Sequence, residues 1–123
     1  MKIQLSILFL LFTTTLAIAQ DSFEQAVYHS EGDSLQYRIQ YPLNYDQTKK
    51  YPLVLFLHGA GERGSDNQSQ LTHGSALFAN PGMRNAFPAI VIFPQCPKDS
   101  YWANVDVDRS NYPIGITFHP DQK

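Results

Sequence analysis

The sequence predicts an α/β fold whose sheet is mostly parallel, has an antiparallel N-terminal edge and is incomplete at its C-terminal end. Two short apolar runs without alternation, "LVLFL" at 53–57 and "AIVIFP" at 89–94, are typical of strands buried on both faces. One helical segment lies between them. A strand, a helix and a second buried strand in this order predict a β-α-β unit with parallel strands.

The elements follow one another in a simple order. "FEQAVYH" and "LQYRIQYP" predict two paired strands, because the turn residues "SEGDS" separate them and the second run alternates. A loop bounded by Pro42 and Pro52 leads to the first buried strand. Residues 71–79, "LTHGSALFA", predict the helix, and "NPG" at 80–82 ends it. From Gln95 onward the chain is rich in Pro, Asp, Asn and Tyr and shows no convincing period.

Composition excludes several classes of protein. The chain has 123 residues with a formal net charge of −2, so nothing indicates a nucleic-acid or anionic-membrane partner. An aromatic content of 13% argues against disorder. The single cysteine, Cys96, forms no internal disulfide, and its sequence neighbours offer only Lys98 as a charged group. We therefore interpret Cys96 as a buried structural thiol rather than a catalytic one.

The first 19 residues have the pattern of a secretory signal peptide. A basic start at Lys2 is followed by an apolar run and by small residues at Ala17 and Ala19, which form an A-x-A cleavage site. The alternative is a membrane anchor, but residues 13–15, "TTT", interrupt the apolar run. The pattern predicts an exported domain at 20–123, secreted or periplasmic, with no membrane attachment after cleavage.

A glycine-rich turn, "HGAGERG", follows the first buried strand. Ligands of open parallel sheets bind just beyond the carboxyl ends of the strands, and glycine lets another group approach the backbone closely. The backbone N–H groups of Ala60 and Gly61 are therefore candidate donors to a developing negative charge. The alternative is a tight turn without function.

The sequence implies no metal and no cofactor. The four histidines show neither H-x-x-x-H nor H-x-H spacing, and none is paired with a cysteine. Tyr101 and Trp102 follow the second buried strand at its carboxyl end. They are candidates for lining an acyl or aromatic substrate pocket, and the alternative for both is ordinary packing.

The stretch "YPLVLFLHGAGERGSDN", followed by "AIVIFPQCP" and then "YW", resembles the N-terminal part of a secreted α/β-hydrolase. Within that superfamily it is most similar to the branch of bacterial esterases and prolyl-oligopeptidase-like enzymes, over about residues 35–105. The resemblance implies that Ala60 is the first oxyanion donor, with Gly61 beside it. It also implies that His58 and Gly59 shape the loop.

The nucleophile of that family is absent from this chain. Its G-x-S-x-G motif does not fit around Ser34, Ser65 or Ser75, so the resemblance places all three members of a Ser-His-Asp triad beyond Lys123. We expect the chain to be the N-terminal piece of a longer enzyme, inactive by itself. Its substrate would be a small ester or a peptide. The alternative is a small secreted binding module, which predicts cooperative folding of residues 20–123 alone.

Overall fold

The computed structural model describes residues 22–120. It contains two sheets and two short helices, in the chain order β1 (Glu24–Ser30), β2 (Asp33–Gln40), β3 (Leu53–Leu55), α1 (Ser75–Ala79), α2 (Pro81–Ala86), β4 (Ile90–Pro94), β5 (Val105–Asp108) and β6 (Gly115–Phe118). The predicted signal peptide at 1–19 lies outside the described residues.

The main sheet has four strands in the order β1-β2-β4-β3. β1 and β2 form an antiparallel pair, joined by a turn in which Glu31 and Gly32 have φ values of 47° and 95°. β3 and β4 are parallel, with Val54 opposite Val91. The predicted antiparallel edge and β-α-β unit are thus confirmed. Because β2 also pairs antiparallel with β4, the described sheet is mixed rather than mostly parallel.

The prediction that the first apolar run is buried on both faces is wrong for the described residues. Leu53, Leu55 and Leu57 are 65%, 58% and 49% exposed, whereas Val54 and Phe56 pack against the core. Successive side chains of a strand point to opposite faces. β3 is the outer strand of this sheet, and the helices between β3 and β4 pack on the face of Val54 and Phe56.

The core is centred on Phe93 of β4, which is fully buried. Its ring stacks on Phe56 at 4.6 Å between centroids, and it meets Phe23 and Phe78 edge-on at 5.2 and 5.8 Å. These are favourable aromatic geometries. Phe78 belongs to α1, so this cluster attaches the helical segment to the sheet.

The predicted helix at 71–79 is shorter than expected, and a second helix follows it. Residues 69–71 form a 3₁₀ turn, and α1 begins at Ser75. Asn80 and Pro81 end α1 but also begin α2, because the Asn80 side chain accepts from the Met83 N–H at 3.1 Å and Pro81 occupies the first helical position. Within residues 22–120, no helix is long and apolar enough to cross a membrane.

The β5–β6 hairpin was not predicted from the sequence. Its strands pair antiparallel, with Val105 opposite Phe118. The "VDVD" of β5 alternates, but over four residues only. So short an alternation is a weak signal. Ile116 and Phe118 alternate in β6 as well, again over four residues only, and they are 57% and 74% exposed, so they bury no core face.

Gly74 is a position at which a side chain is expected to destabilise the fold. Its φ is +80°, and a Cβ built there would lie 2.6 Å from Cζ of Phe56, whose ring is stacked on Phe93. Gly74→Ala should lower the free energy of unfolding by about 2 to 3 kcal/mol, from the left-handed backbone and from overpacking. Denaturant titration measures this. Gly61→Ala, whose Cβ meets no atom within 4 Å, is the control and should change it by less than about 0.5 kcal/mol.

Candidate active site

The glycine-rich turn lies at the carboxyl end of the parallel pair β3–β4. Gly59 is extended, with φ −76° and ψ 176°, and a 3₁₀ turn then runs over Ala60–Glu62. Ala60 and Gly61 are exposed. Among residues 22–120, no acceptor is bonded to the N–H of either residue. The turn therefore presents two adjacent backbone donors to solvent.

His58 lies beneath this turn and is only 5% exposed. Its Nε2 accepts a hydrogen bond from the Cys96 N–H at 3.0 Å. Since a backbone N–H can only donate, the ring proton must be on Nδ1, which is 2.7 Å from the Gly59 carbonyl oxygen. The neutral Nδ1–H tautomer satisfies both contacts, so His58 connects the turn to the end of β4.

Trp102, which is 44 residues from His58 in sequence, packs against its ring. Its Nε1–H donates to the His58 carbonyl at 2.9 Å, and the two rings meet edge-on at 5.0 Å between centroids. The indole remains 39% exposed. The structure therefore places Trp102 at the turn, where part of its surface is open to solvent.

Arg63 makes the second set of contacts to the turn. Its Nε donates to the Ala60 carbonyl at 3.0 Å, and its Nη1 donates to the Ser100 carbonyl at 2.9 Å. The guanidinium lies 4.5 Å from the centre of the Tyr101 ring, a cation–π contact. Hydrogen bonding from Arg109 and then from Arg63 lowers the pKa of the Tyr101 phenol. The Tyr101 ring therefore packs against the Arg63 guanidinium and helps to hold it in place.

A buried polar network supports the loop that follows the turn. Gln95, 2% exposed, accepts from the Asn67 N–H at 2.8 Å and donates to Asp66 at 2.7 Å and to the Glu62 carbonyl at 3.2 Å. Arg38 of β2 donates to the Asn67 carbonyl at 2.6 Å. Sequence reasoning did not identify these residues. The available signal was a polar side chain in or just after an apolar strand, which must find partners when it is buried.

Cys96 is 1% exposed, which confirms the prediction of a buried thiol. Burial raises the pKa of the thiol, and this disfavours a thiolate nucleophile. The backbone of Cys96, rather than its thiol, makes the contacts to the turn. Its N–H binds His58, and its carbonyl accepts from the Gly64 N–H at 3.0 Å. Both ends of the glycine-rich segment are therefore attached to the same residue.

The hydrogen bonds to the Asp66 carboxylate are expected to make the stability of the protein depend on pH. The Ser69 hydroxyl, with the backbone N–H groups of Ser69 and Gln68 and the Gln95 amide, holds the pKa of the Asp66 carboxyl well below its usual range. A depressed pKa in the folded state adds stability above the unfolded value of about 3.9, and this stability is lost as the pH falls below it.

We therefore expect the difference in free energy of unfolding between the wild-type protein and Asp66→Asn to shrink as the pH is lowered from about 5 to about 2. Denaturant titrations at several pH values measure it. A difference that stays constant over this range would contradict the role of the Asp66 charge.

Among residues 22–120, an apolar and a polar depression lie close to these elements. An apolar one of about 90 Å³ lies near the amino ends of β3 and β4, remote from the turn, and is lined by Val54, Phe78, Met83, Phe87 and others. A polar one lies beside Tyr101 and includes Ser100 and Asp106. In the described part of the chain, no three His, Cys, Asp or Glu side chains come together as metal ligands.

The structure brings all the predicted site residues into one place. His58, Gly59, Ala60 and Gly61 form the turn, and Tyr101 and Trp102 reach it from about 40 residues away in sequence. The roles of Ala60 and Gly61 as donors, and of the two aromatic residues as substrate contacts, stay predictions.

The chain is similar to known hydrolases in sequence and in structure. No family model matches it. It is 32% identical over 65 residues to a probable dipeptidyl-peptidase 5 from Aspergillus niger, a match that covers 53% of this chain and 9% of that protein. It also superimposes on the crystal structure of a thermostable esterase with a TM-score of 0.65 and 37% identity, covering 71% of this chain and 24% of the esterase. The esterase is of the α/β-hydrolase class, and the chain spans only a small part of the length of either protein.

Proposed function

We propose that the protein to which this chain belongs is a serine hydrolase that cleaves carboxylic esters on an α/β-hydrolase fold. The observation that carries this proposal is the pair of N–H groups of Ala60 and Gly61, which bind no acceptor among residues 22–120 and belong to exposed residues at the carboxyl end of the parallel pair. Adjacent, fixed donors suit an oxyanion, whose charge appears only during the reaction. The similarity to an esterase at 37% identity supports the same function.

In this proposal the nucleophilic serine, the histidine and the aspartate lie beyond Lys123. The serine hydroxyl attacks the ester carbonyl while the histidine accepts its proton, and the aspartate orients the histidine. The carbonyl oxygen becomes an oxyanion, which accepts hydrogen bonds from the Ala60 N–H, with the Gly61 N–H beside it, and from the N–H that follows the serine. The histidine then protonates the departing alcohol, and water releases the acyl group by the same steps. The chemistry needs no cofactor.

A peptidase is the second candidate. It is favoured by the similarity to the probable dipeptidyl-peptidase, in which this chain matches 65 residues. The two reactions use the same triad and the same oxyanion donors, so the turn suits both. Comparing kcat/KM for a nitrophenyl ester and for a dipeptide nitroanilide distinguishes the two.

The test of the proposed function uses the whole protein and residues 20–123 side by side. The whole protein should hydrolyse a nitrophenyl ester and should be labelled by a fluorophosphonate at a serine beyond residue 123. The shorter chain should give no hydrolysis above background. Turnover by residues 20–123, or a whole protein that neither hydrolyses esters or peptides nor takes up the label, would contradict the proposal.

Export to the periplasm or the medium is part of the same proposal. It rests on the signal-peptide pattern of residues 1–19. N-terminal sequencing of the protein from its native host should find a mature chain that begins at Gln20. Retention of Met1 would contradict export by cleavage.

A further inference from the structure

Three consecutive carbonyl groups in the turn each accept a hydrogen bond from a side-chain N–H. The His58 carbonyl is bound by Trp102 at 2.9 Å, the Gly59 carbonyl by His58 at 2.7 Å and the Ala60 carbonyl by Arg63 at 3.0 Å. Backbone carbonyls in an exposed turn can be satisfied by water alone. Because three side chains bind three successive carbonyl groups here, they fix the orientation of the peptide units to which those carbonyls belong.

The orientation of a carbonyl determines where the next N–H points. A peptide unit is planar, and its C=O and N–H point in opposite directions. The Gly59 carbonyl shares its peptide unit with the Ala60 N–H, and the Ala60 carbonyl shares its unit with the Gly61 N–H. A donor bound to either carbonyl consequently fixes the unpartnered N–H on the other side of the same unit.

His58 is suited to fix the Ala60 N–H. Its ring is buried, and the Cys96 N–H on Nε2 holds the Nδ1 proton toward the Gly59 carbonyl. The Glu62 N–H also binds this carbonyl, at 3.3 Å. The Gly59–Ala60 peptide unit is thereby bound from two directions.

Arg63 is suited to fix the Gly61 N–H. Its guanidinium is itself held by the Ser100 carbonyl and by the Tyr101 ring, so its Nε has little freedom. A hydrogen bond from a charged donor is stronger than one from a neutral donor, and it polarises the peptide unit that receives it. The Gly61 N–H therefore becomes a better donor to an anion.

We propose that Arg63 and His58 are positioning residues of the oxyanion site, acting through the Ala60 and Gly59 carbonyls on the Gly61 and Ala60 N–H groups. Trp102 supports the same turn through the His58 carbonyl. The inference rests on the proposed hydrolase function and adds to it a defined role for side chains that touch neither substrate nor nucleophile. It also assigns Tyr101 as the support for Arg63.

The test is Arg63→Lys in the whole protein. Lysine keeps the positive charge but lacks the planar fork that reaches the Ala60 and Ser100 carbonyls together. We expect kcat for ester hydrolysis to fall about 10- to 100-fold, with KM changed less than about twofold, because only the binding of the oxyanion is weakened. The affinity for a boronate inhibitor, which forms the tetrahedral anion, should fall in parallel.

Arg84→Lys is the matched control. Arg84 also donates from its guanidinium to a backbone carbonyl, that of Tyr41 at 2.6 Å, but it lies near the amino end of β4. This variant should keep the wild-type kcat. Equal effects of Arg63→Lys and Arg84→Lys on kcat would overturn the proposal. A wild-type protein without hydrolytic activity would contradict the proposed function before any variant is compared.

Trp102→Phe is a second variant that keeps the test decisive should Arg63→Lys fail to fold. Phenylalanine preserves the ring against His58 but removes the donor to the His58 carbonyl. A positioning role predicts a fall in kcat of about 3- to 10-fold at constant KM. A change confined to KM would instead show that Trp102 contacts the substrate, and it would overturn the role assigned to it here.

Discussion

Replacement of Ala60 by proline in the whole protein is expected to lower kcat for ester hydrolysis by about 10²- to 10³-fold, the loss typical of one oxyanion donor. Proline has no N–H, so the substitution removes the proposed donor itself. The site should accept the ring. Ala60 is the first residue of the 3₁₀ turn, and Gly59 already has the extended conformation that the residue before a proline requires.

Ala60→Ser distinguishes loss of the donor from a change of side chain. It retains the N–H at an exposed position, and it should keep kcat within about fivefold of the wild-type value. Steady-state kinetics give the comparison, and thermal unfolding verifies that both variants are folded. Wild-type kcat in Ala60→Pro would show that Ala60 is not a donor. An equally large loss in Ala60→Ser would assign the effect to the side chain.

Phe93→Ala is expected to have the largest effect on stability, a loss of about 3 to 5 kcal/mol in the free energy of unfolding. Phe93 is fully buried, and its ring contacts three other aromatic rings, those of Phe23, Phe56 and Phe78. Its removal leaves a cavity between β4 and the three rings, of which Phe23 precedes β1, Phe56 follows β3 and Phe78 lies in α1. The neighbouring rings belong to different elements, so they cannot close that space without moving a strand or a helix.

Phe87→Ala is the matched control for this prediction. It makes the same substitution at a ring that is 68% exposed, and it should cost less than about 1 kcal/mol. Denaturant titration of the whole protein gives both values. Similar losses for the two variants would contradict the assignment of Phe93 as the centre of the core.

Local sequence signals predicted the strands of the main sheet and the glycine-rich turn that follows β3. The alternation in β2 and the apolar run of β4 both marked true strands, and the glycines after β3 marked the turn whose two N–H groups bind no acceptor in the described part of the chain. Such signals depend on residues within one or two positions of each other. Element boundaries were less accurate, since Asn80 and Pro81 begin a helix as readily as they end one.

The sequence by itself therefore determined which segments form the main sheet, that a glycine-rich turn follows β3 and that Cys96 is buried. Only the tertiary structure decided that one face of β3 is open, that His58 carries its proton on Nδ1, and that Arg63 and Trp102 bind the carbonyls of the turn. Each of these depends on groups brought together by pairing and packing. Trp102 and His58 are 44 residues apart, and Cys96 and His58 are 38 apart. No local pattern records such contacts, because the fold alone sets the distances between them.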